Sequence, residues 1–125
     1  MQIFSIEASS NSPKILIDGN HGVLEISGIS TLKQAGDFYR QVERWIRAFN
    51  LTDPSTQTVN IMLDEIDGRS AYWMLHILQQ LEGLYQTGNR NLVVNWYYNA
   101  GNRKMLMAGK EYRMNVRLPF NIVAA

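Results

Sequence analysis

The strongest constraint on this chain is a run of apolar residues in its second half: Met74, Ile77, Leu78, Leu81, Leu84 and Tyr85, spaced by threes and fours and followed by Gly88. Such spacing lays one stripe along a helix, and a glycine just past its end is a common helix stop. On either side of this stripe the periodicity changes. Val59, Ile61 and Leu63 alternate as strand residues do, and Asn91 to Tyr98 is rich in β-branched and aromatic residues. Strand, helix and strand in that order require a crossover, which favours parallel neighbours in one sheet with right-handed links.

The rest of the chain extends the pattern. Ile3 to Ala8, Lys14 to Asp18 and Val23 to Ser27 read as strands, the last two joined by Gly19-Asn20-His21-Gly22 as an antiparallel hairpin. Phe38, Val42, Trp45, Ile46 and Phe49 mark a helix over Leu32 to Asn50, and Asp53, Pro54 and Ser55 break the pattern between Leu51 and Gln57. Asp67-Gly68 is a turn before the Met74 helix. A third helix over Asn102 to Met114 and a short edge strand over Arg117 to Val123, marked by Pro119, complete the order. The expected fold class is α/β, a mixed sheet of four to six strands packed with helices. With 125 residues, 46% of them hydrophobic, the expectation is a single domain over 1–125 with one core that includes Trp45 and Leu78.

Composition narrows the function. A net charge of +1 announces no polyanion-binding surface, so nucleic acid is not an expected partner. The absence of Cys excludes disulfides, thiolate metal sites and Cys nucleophiles, and fits a reducing cytoplasm. No basic leader precedes a long apolar run, and no apolar segment approaches the roughly 20 residues of a membrane span, so membrane insertion is not expected.

Two groups of residues are candidates for chemistry or binding. Asp64, Glu65 and Asp67 cluster at a strand end, where carboxylates can hold a divalent cation or act as acid and base. The plainer reading has Asp67 capping the next helix and the others solvated. Ser70, His76 and Asp67 make no triad, because six helical residues put Ser70 and His76 on different faces. His76 falls on the polar side of its helix and His21 in the hairpin turn. The second group is aromatic. Trp96 and Tyr98 share one face of their strand and Tyr97 takes the other, either as packing or, on an uncovered face, as interface anchors. Tyr72 and Trp73, on the first turns of their helix, pose the same question, and at least one of them is expected to be exposed.

The order of these pieces resembles the SiaC family of bacterial regulatory phosphoproteins, whose fold is similar to the STAS domains of anti-sigma-factor antagonists. The likeness runs from Ser12 to Val123. It rests on Ser12-Pro13-Lys14-Ile15, on Gly22-Val23-Leu24-Glu25-Ile26-Ser27-Gly28-Ile29-Ser30, on Phe38-Tyr39 through Trp45-Ile46, and most specifically on Trp96-Tyr97-Tyr98 and Pro119-Phe120. The resemblance implies a non-catalytic STAS-like partner-switching domain without a cofactor. In that scheme a kinase phosphorylates the protein, a phosphatase reverses this, and the unmodified form binds and activates a diguanylate cyclase.

Departures from the family pattern are local. Thr31-Leu32-Lys33-Gln34 stands where the family has Tyr-Pro-Glu-Asn, and Asn99 where an acidic residue commonly follows the aromatic strand. Asp67-Gly68-Arg69-Ser70 stands where the family has Asn-Thr-Ser-Ser with the Thr as phosphoacceptor. Gly68 falls on the acceptor position and carries no hydroxyl; Ser70 keeps one. The expected partner surface is Arg69, Tyr72 and Trp73 together with an exposed aromatic among Trp96, Tyr97 and Tyr98. The alternative is a small metal- or ligand-binding enzyme domain built on Asp64, Glu65 and Asp67.

Overall fold

Alternation of period two decides how each strand sits. Ile15 and Ile17 in β2 (Lys14–Asp18), Leu24 and Ile26 in β3 (Val23–Ser30), Val59, Ile61 and Leu63 in β4 (Gln57–Ile66) and Leu92, Val94 and Trp96 in β5 (Leu92–Tyr98) are all buried, while their neighbours are not. One face of the sheet is therefore the core and the other is open. The computed structural model describes residues 3–48 and 57–125. Within them β1 (Ile3–Ile6) and β6 (Phe120–Ala124) flank the four central strands, in the order β1-β2-β3-β4-β5-β6. β1, β2 and β3 pair antiparallel, and β3 through β6 pair parallel, so the sheet is mixed as expected.

The three crossovers carry α1 (Ala35–Ala48), α2 (Gly68–Thr87) and α3 (Arg103–Asn115). Parallel strands added one after another in the same direction by right-handed links put every helix on the same face. That face is sealed by Tyr39, Val42 and Ile46 from α1, Met74, Ile77, Leu78 and Leu81 from α2, and Met105 and Tyr112 from α3. No described helix is long and apolar enough to cross a membrane.

The hairpin forms at the expected residues, Lys14 opposite Ser27 and Asp18 opposite Val23. Gly22 takes a left-handed φ of 63° in its turn, and the Asp18 carboxylate accepts from the backbone N–H groups of Asn20 and His21 and bonds the His21 ring at 2.7 Å. That contact, led by the ring hydrogen bond, holds the Asp18 pKa below the usual carboxylate value.

Some expectations needed correction. β1 stops at Ile6 and does not reach Ala8. β3 continues to Ser30, because Gly28, at φ 112°, and a register shift beside it let the strand pass a bulge with Asp64 as the extra residue on β4. β6 starts at Phe120, after Pro119, and forms the far edge. α1 begins at Ala35 and buries Ala35, Tyr39, Val42 and Ile46; its expected end at Phe49 and Asn50, and the break over residues 51–56, lie outside the described residues. Trp45 is only half-buried, about a quarter turn off the buried arc, and stacks on Phe4 with ring centroids 4.8 Å apart.

Candidate functional site

The start of α2 is tied to its surroundings by hydrogen bonds from three elements. Asp67 caps the helix: its carboxylate accepts from the Ser70 N–H at 2.9 Å and its carbonyl from Ala71 at 2.8 Å. The Asp67 N–H in turn donates to the Ser30 carbonyl at the end of β3. The Ser30 hydroxyl bonds the buried Tyr39 hydroxyl of α1 at 2.6 Å, and the Tyr112 hydroxyl of α3 donates to the Ala71 carbonyl at 2.8 Å. Burial pushes the Tyr39 phenol up to about 12 and raises that of Tyr112 as well, so both stay protonated in these bonds. Neighbours on both sides thus position the first turn of α2 firmly.

The side chains of that turn have distinct fates. Gly68 is exposed, and a Cβ built on it would meet nothing within 4 Å. Arg69 is exposed and its guanidinium donates to the Lys33 carbonyl at 3.4 Å. Ser70 is fully buried, and its hydroxyl finds no hydrogen-bond partner among the described residues. Tyr72 is 59% exposed and Trp73 half-buried. Trp73 lies against Gly36, where a Cβ would come within 3.1 Å of its ring, and Arg40 sits 5.0 Å from the ring centroid. His76 packs on both aromatics, with centroids 4.7 Å from Tyr72 and 5.1 Å from Trp73. The outcome is a cationic and aromatic patch spanning the starts of α1 and α2.

The aromatic strand does not join this patch. Trp96 is sealed in the core, donating to the Met105 carbonyl at 2.8 Å and touching Gly109, so it offers no partner surface. Tyr98 is partly buried against the same core. Tyr97 points to the open sheet face, level with Met62 and Val123, away from the helices.

The acidic trio does not assemble either. The Asp64 carboxylate accepts from Asn99 at 3.1 Å, the Asp64 carbonyl from Asn102 at 2.9 Å, Asp67 is committed to its cap, and Glu65 is exposed. Among the described residues no group of three His, Cys, Asp or Glu is placed to hold a metal ion. The metal-enzyme alternative therefore has no support.

Sequence reasoning missed a cleft between α2 and α3, lined by Ala71, Tyr72 and Leu75 on one wall and Ala108, Glu111 and Tyr112 on the other. It continues over the ends of β4 toward Arg103, Lys104 and Met107. The one available signal was the exposed Met107 on the outer face of α3.

Comparison with known proteins agrees with this architecture. The family model described as SiaC family regulatory phosphoprotein matches residues 6–125. An uncharacterised protein of Pseudomonas aeruginosa strain UCBPP-PA14 is 26% identical over 124 residues, covering 99% of this chain and 98% of its own length. SiaC of Pseudomonas aeruginosa superposes with a TM-score of 0.88 at 25% identity over 100% of both chains. SiaC from the same organism in complex with the diguanylate cyclase SiaD, whose activator it is, gives 0.88 at 24% identity over 98% of this chain and 99% of that one. The likeness covers the hairpin, all three crossovers and the start of α2, and on that footing this chain belongs to the SiaC family of regulatory phosphoproteins.

Proposed function

We propose that this chain is a non-catalytic cytoplasmic regulator that binds and activates a diguanylate cyclase, and that it does so without a phosphorylation switch. The observation that carries this reading is the start of α2: a tied-down, solvent-facing first turn in a member of the SiaC family, with Gly68 bare and Ser70 sealed. Arg69 and Tyr72 on that turn, with Trp73 behind them, are the residue types that most often dominate protein interfaces. Trp96 is excluded by its burial, and Tyr97 and Tyr98 lie outside the patch. No kinase can modify Gly68, and one acting on Ser70 would first have to open the helix start against the Asp67 cap. A kinase and phosphatase pair thus has no exposed hydroxyl to work on at the position where the family carries its acceptor.

The test uses the purified chain with a diguanylate cyclase from the same organism. Cyclic di-GMP formation should rise on addition of the chain, and intact-mass spectrometry of native protein should show no phosphate on Ser70. Ser70→Ala should activate as well as the natural chain. Absence of both binding and activation with every cyclase of the host would refute the reading.

A further inference from the structure

The sheet ends at β6, with no described strand beyond it. Which backbone groups face outward follows from its ladder with β5. The Val94 N–H donates to the Pro119 carbonyl at 2.9 Å and the Ala125 N–H to the Tyr98 carbonyl at 2.8 Å. Pro119, Asn121, Val123 and Ala125 therefore turn their backbone toward β5, and Phe120, Ile122 and Ala124 turn theirs away from the sheet. Natural edges are commonly blunted by a charge, a proline or a bulge. The sequence Phe-Asn-Ile-Val-Ala carries no charge, pairs with β5 without a register shift, and has its nearest proline, Pro119, before it. A row of amides holds this edge in place: Asn121 donates to the Asn95 side-chain oxygen at 3.0 Å, and Asn95 to that of Asn60 at 3.1 Å.

The helix above gives the edge its sign. Gly109 and Tyr112 both sit on Trp96, which places α3 over β5. Ala108, Glu111 and Asn115 line the groove on the α2 side. At about 100° per residue the opposite flank is Leu106, Lys110 and Arg113, and it overhangs β6. Leu106 is half-buried, Lys110 and Arg113 are exposed, and among the described residues neither cation makes an ion pair. Arg117, in the link to β6, is exposed as well; the Glu82 carboxylate accepts from its N–H. The edge is thus cationic on its helix side and uncharged on the open face, where Asn121 and Val123 stand.

We propose that β6 receives an added strand from a partner protein, an extended acidic segment hydrogen-bonded to Phe120, Ile122 and Ala124, with carboxylates at alternate positions meeting Lys110 and Arg113. About five residues suffice, since β6 itself spans five residues, about 16 Å. A second copy of this chain fits worse, because two β6 edges joined about a two-fold axis would set the Lys110 and Arg113 flanks of both copies against each other. This surface lies across α3 from the start of α2 and is independent of the cyclase reading, so either can fail without the other.

The experiment titrates the chain into two fluorescently labelled synthetic peptides, one alternating Glu and Val and one alternating Lys and Val, and follows anisotropy. The Glu-Val peptide should bind at least about tenfold more tightly, with the margin shrinking as salt rises. Lys110→Glu and Arg113→Glu together should reverse the order of the two peptides. Ala124→Pro should fold normally, because proline is tolerated on an edge strand where the lost N–H faced solvent, yet it should bind neither peptide. Hydrogen exchange should show the N–H groups of Phe120, Ile122 and Ala124 slowed by the Glu-Val peptide, while those of Asn121 and Val123 are protected already in the chain alone. Failure of the Glu-Val peptide to bind, equal binding of both peptides, or protection at β1 in place of β6 overturns the proposal. A concentration-dependent dimer in sedimentation that Ala124→Pro abolishes overturns it in favour of a second copy. If Ala124→Pro does not fold, the charge-reversed variant and the exchange pattern decide.

Discussion

Replacing Gly109 by Ala should destabilise the protein although alanine is the better helix former. Gly109 is buried in α3 directly over the Trp96 ring, and a Cβ at this position would lie 2.4 Å from Cδ1, 2.6 Å from Nε1 and 3.0 Å from Cγ of the indole. The ring has no room to retreat. Trp96 is fully buried, its Nε1 donates to the Met105 carbonyl of the same helix at 2.8 Å, and Tyr112 and Phe120 pack on it at centroid distances of 5.3 and 6.4 Å. Either α3 lifts from the sheet or the indole tips and loses its hydrogen bond. Overpacking of this kind costs about 1–3 kcal/mol. A lost hydrogen bond adds about 1 kcal/mol. Against this, exchanging Gly for Ala within a helix gains about 0.8–1 kcal/mol. The net expectation is a loss of about 1–3 kcal/mol.

Gly83 supplies the control. It is exposed in the middle of α2, and a Cβ there would meet nothing within 4 Å, so only the propensity gain remains. Gly83→Ala should therefore stabilise by about 0.5–1 kcal/mol. Urea denaturation of both variants beside the natural chain reads the two effects as opposite shifts of the midpoint at unchanged slope. If Gly109→Ala is as stable as Gly83→Ala, the close seat of α3 on Trp96 is wrong, and the groove geometry built on the position of α3 is wrong with it.

Leu78→Ala, at a position with no solvent exposure, should cost about 2–5 kcal/mol. Trp45→Ala should cost less than the roughly 3–5 kcal/mol of a fully buried Trp, since that ring is half-exposed and leans on Phe4; urea midpoints with Trp45 the costlier of the two would contradict the observed packing. Tyr39, whose pKa is raised to about 12, stabilises the fold fully below its ordinary value of 10.0, and this contribution is lost as pH rises from there through the folded value. Tyr39→Phe should lower stability at neutral pH by about 1 kcal/mol, through the lost Ser30 bond, and flatten the decline in alkali; an equally steep alkaline decline would refute the assignment. Gly68→Thr should fold within about 0.5 kcal/mol of the natural chain, because the added side chain enters open space; a large drop in thermal melting would show that the start of α2 is more crowded than described.

How much of this was legible follows from whether a signal is local. The β2–β3 hairpin lies where Gly19-Asn20-His21-Gly22 indicated, because the left-handed Gly22 and the Asp18 side chain satisfy that turn within a few residues. α2 was readable from its stripe, its Asp67 cap and Gly88, whose N–H bonds the Leu84 carbonyl. The core position of Tyr39 was not. Its hydroxyl speaks against burial until Ser30, nine residues earlier in another element, is seen to satisfy it. Trp45 misled for the converse reason, since an apolar ring on the shoulder of a stripe looks like a core residue until the sheet edge beside it is known. The α2–α3 groove left little local signature beyond the exposed Met107, because the spacing of two helices is set by the strands beneath them.

The sequential strand order also explains why one glycine matters to so much surface. Since β3 to β6 are added in one direction by crossovers of one hand, all three helices start along the same edge of the sheet. α2 occupies the middle of that row. Gly68 therefore lines both the cleft toward Lys33, just before α1, and Trp73 of α2, and the groove toward Ala108 and Glu111 of α3. A side chain on residue 68 would form a ridge between the two depressions, and a phosphate on it would charge both at once. Glycine instead leaves them continuous. The adjacent Asp67 does not project a charge into either depression, because its carboxylate is turned to the Ser70 N–H and is spent on the helix it caps. On the function proposed above, the surface presented to a partner would then be that of the unmodified form, held open by the backbone itself.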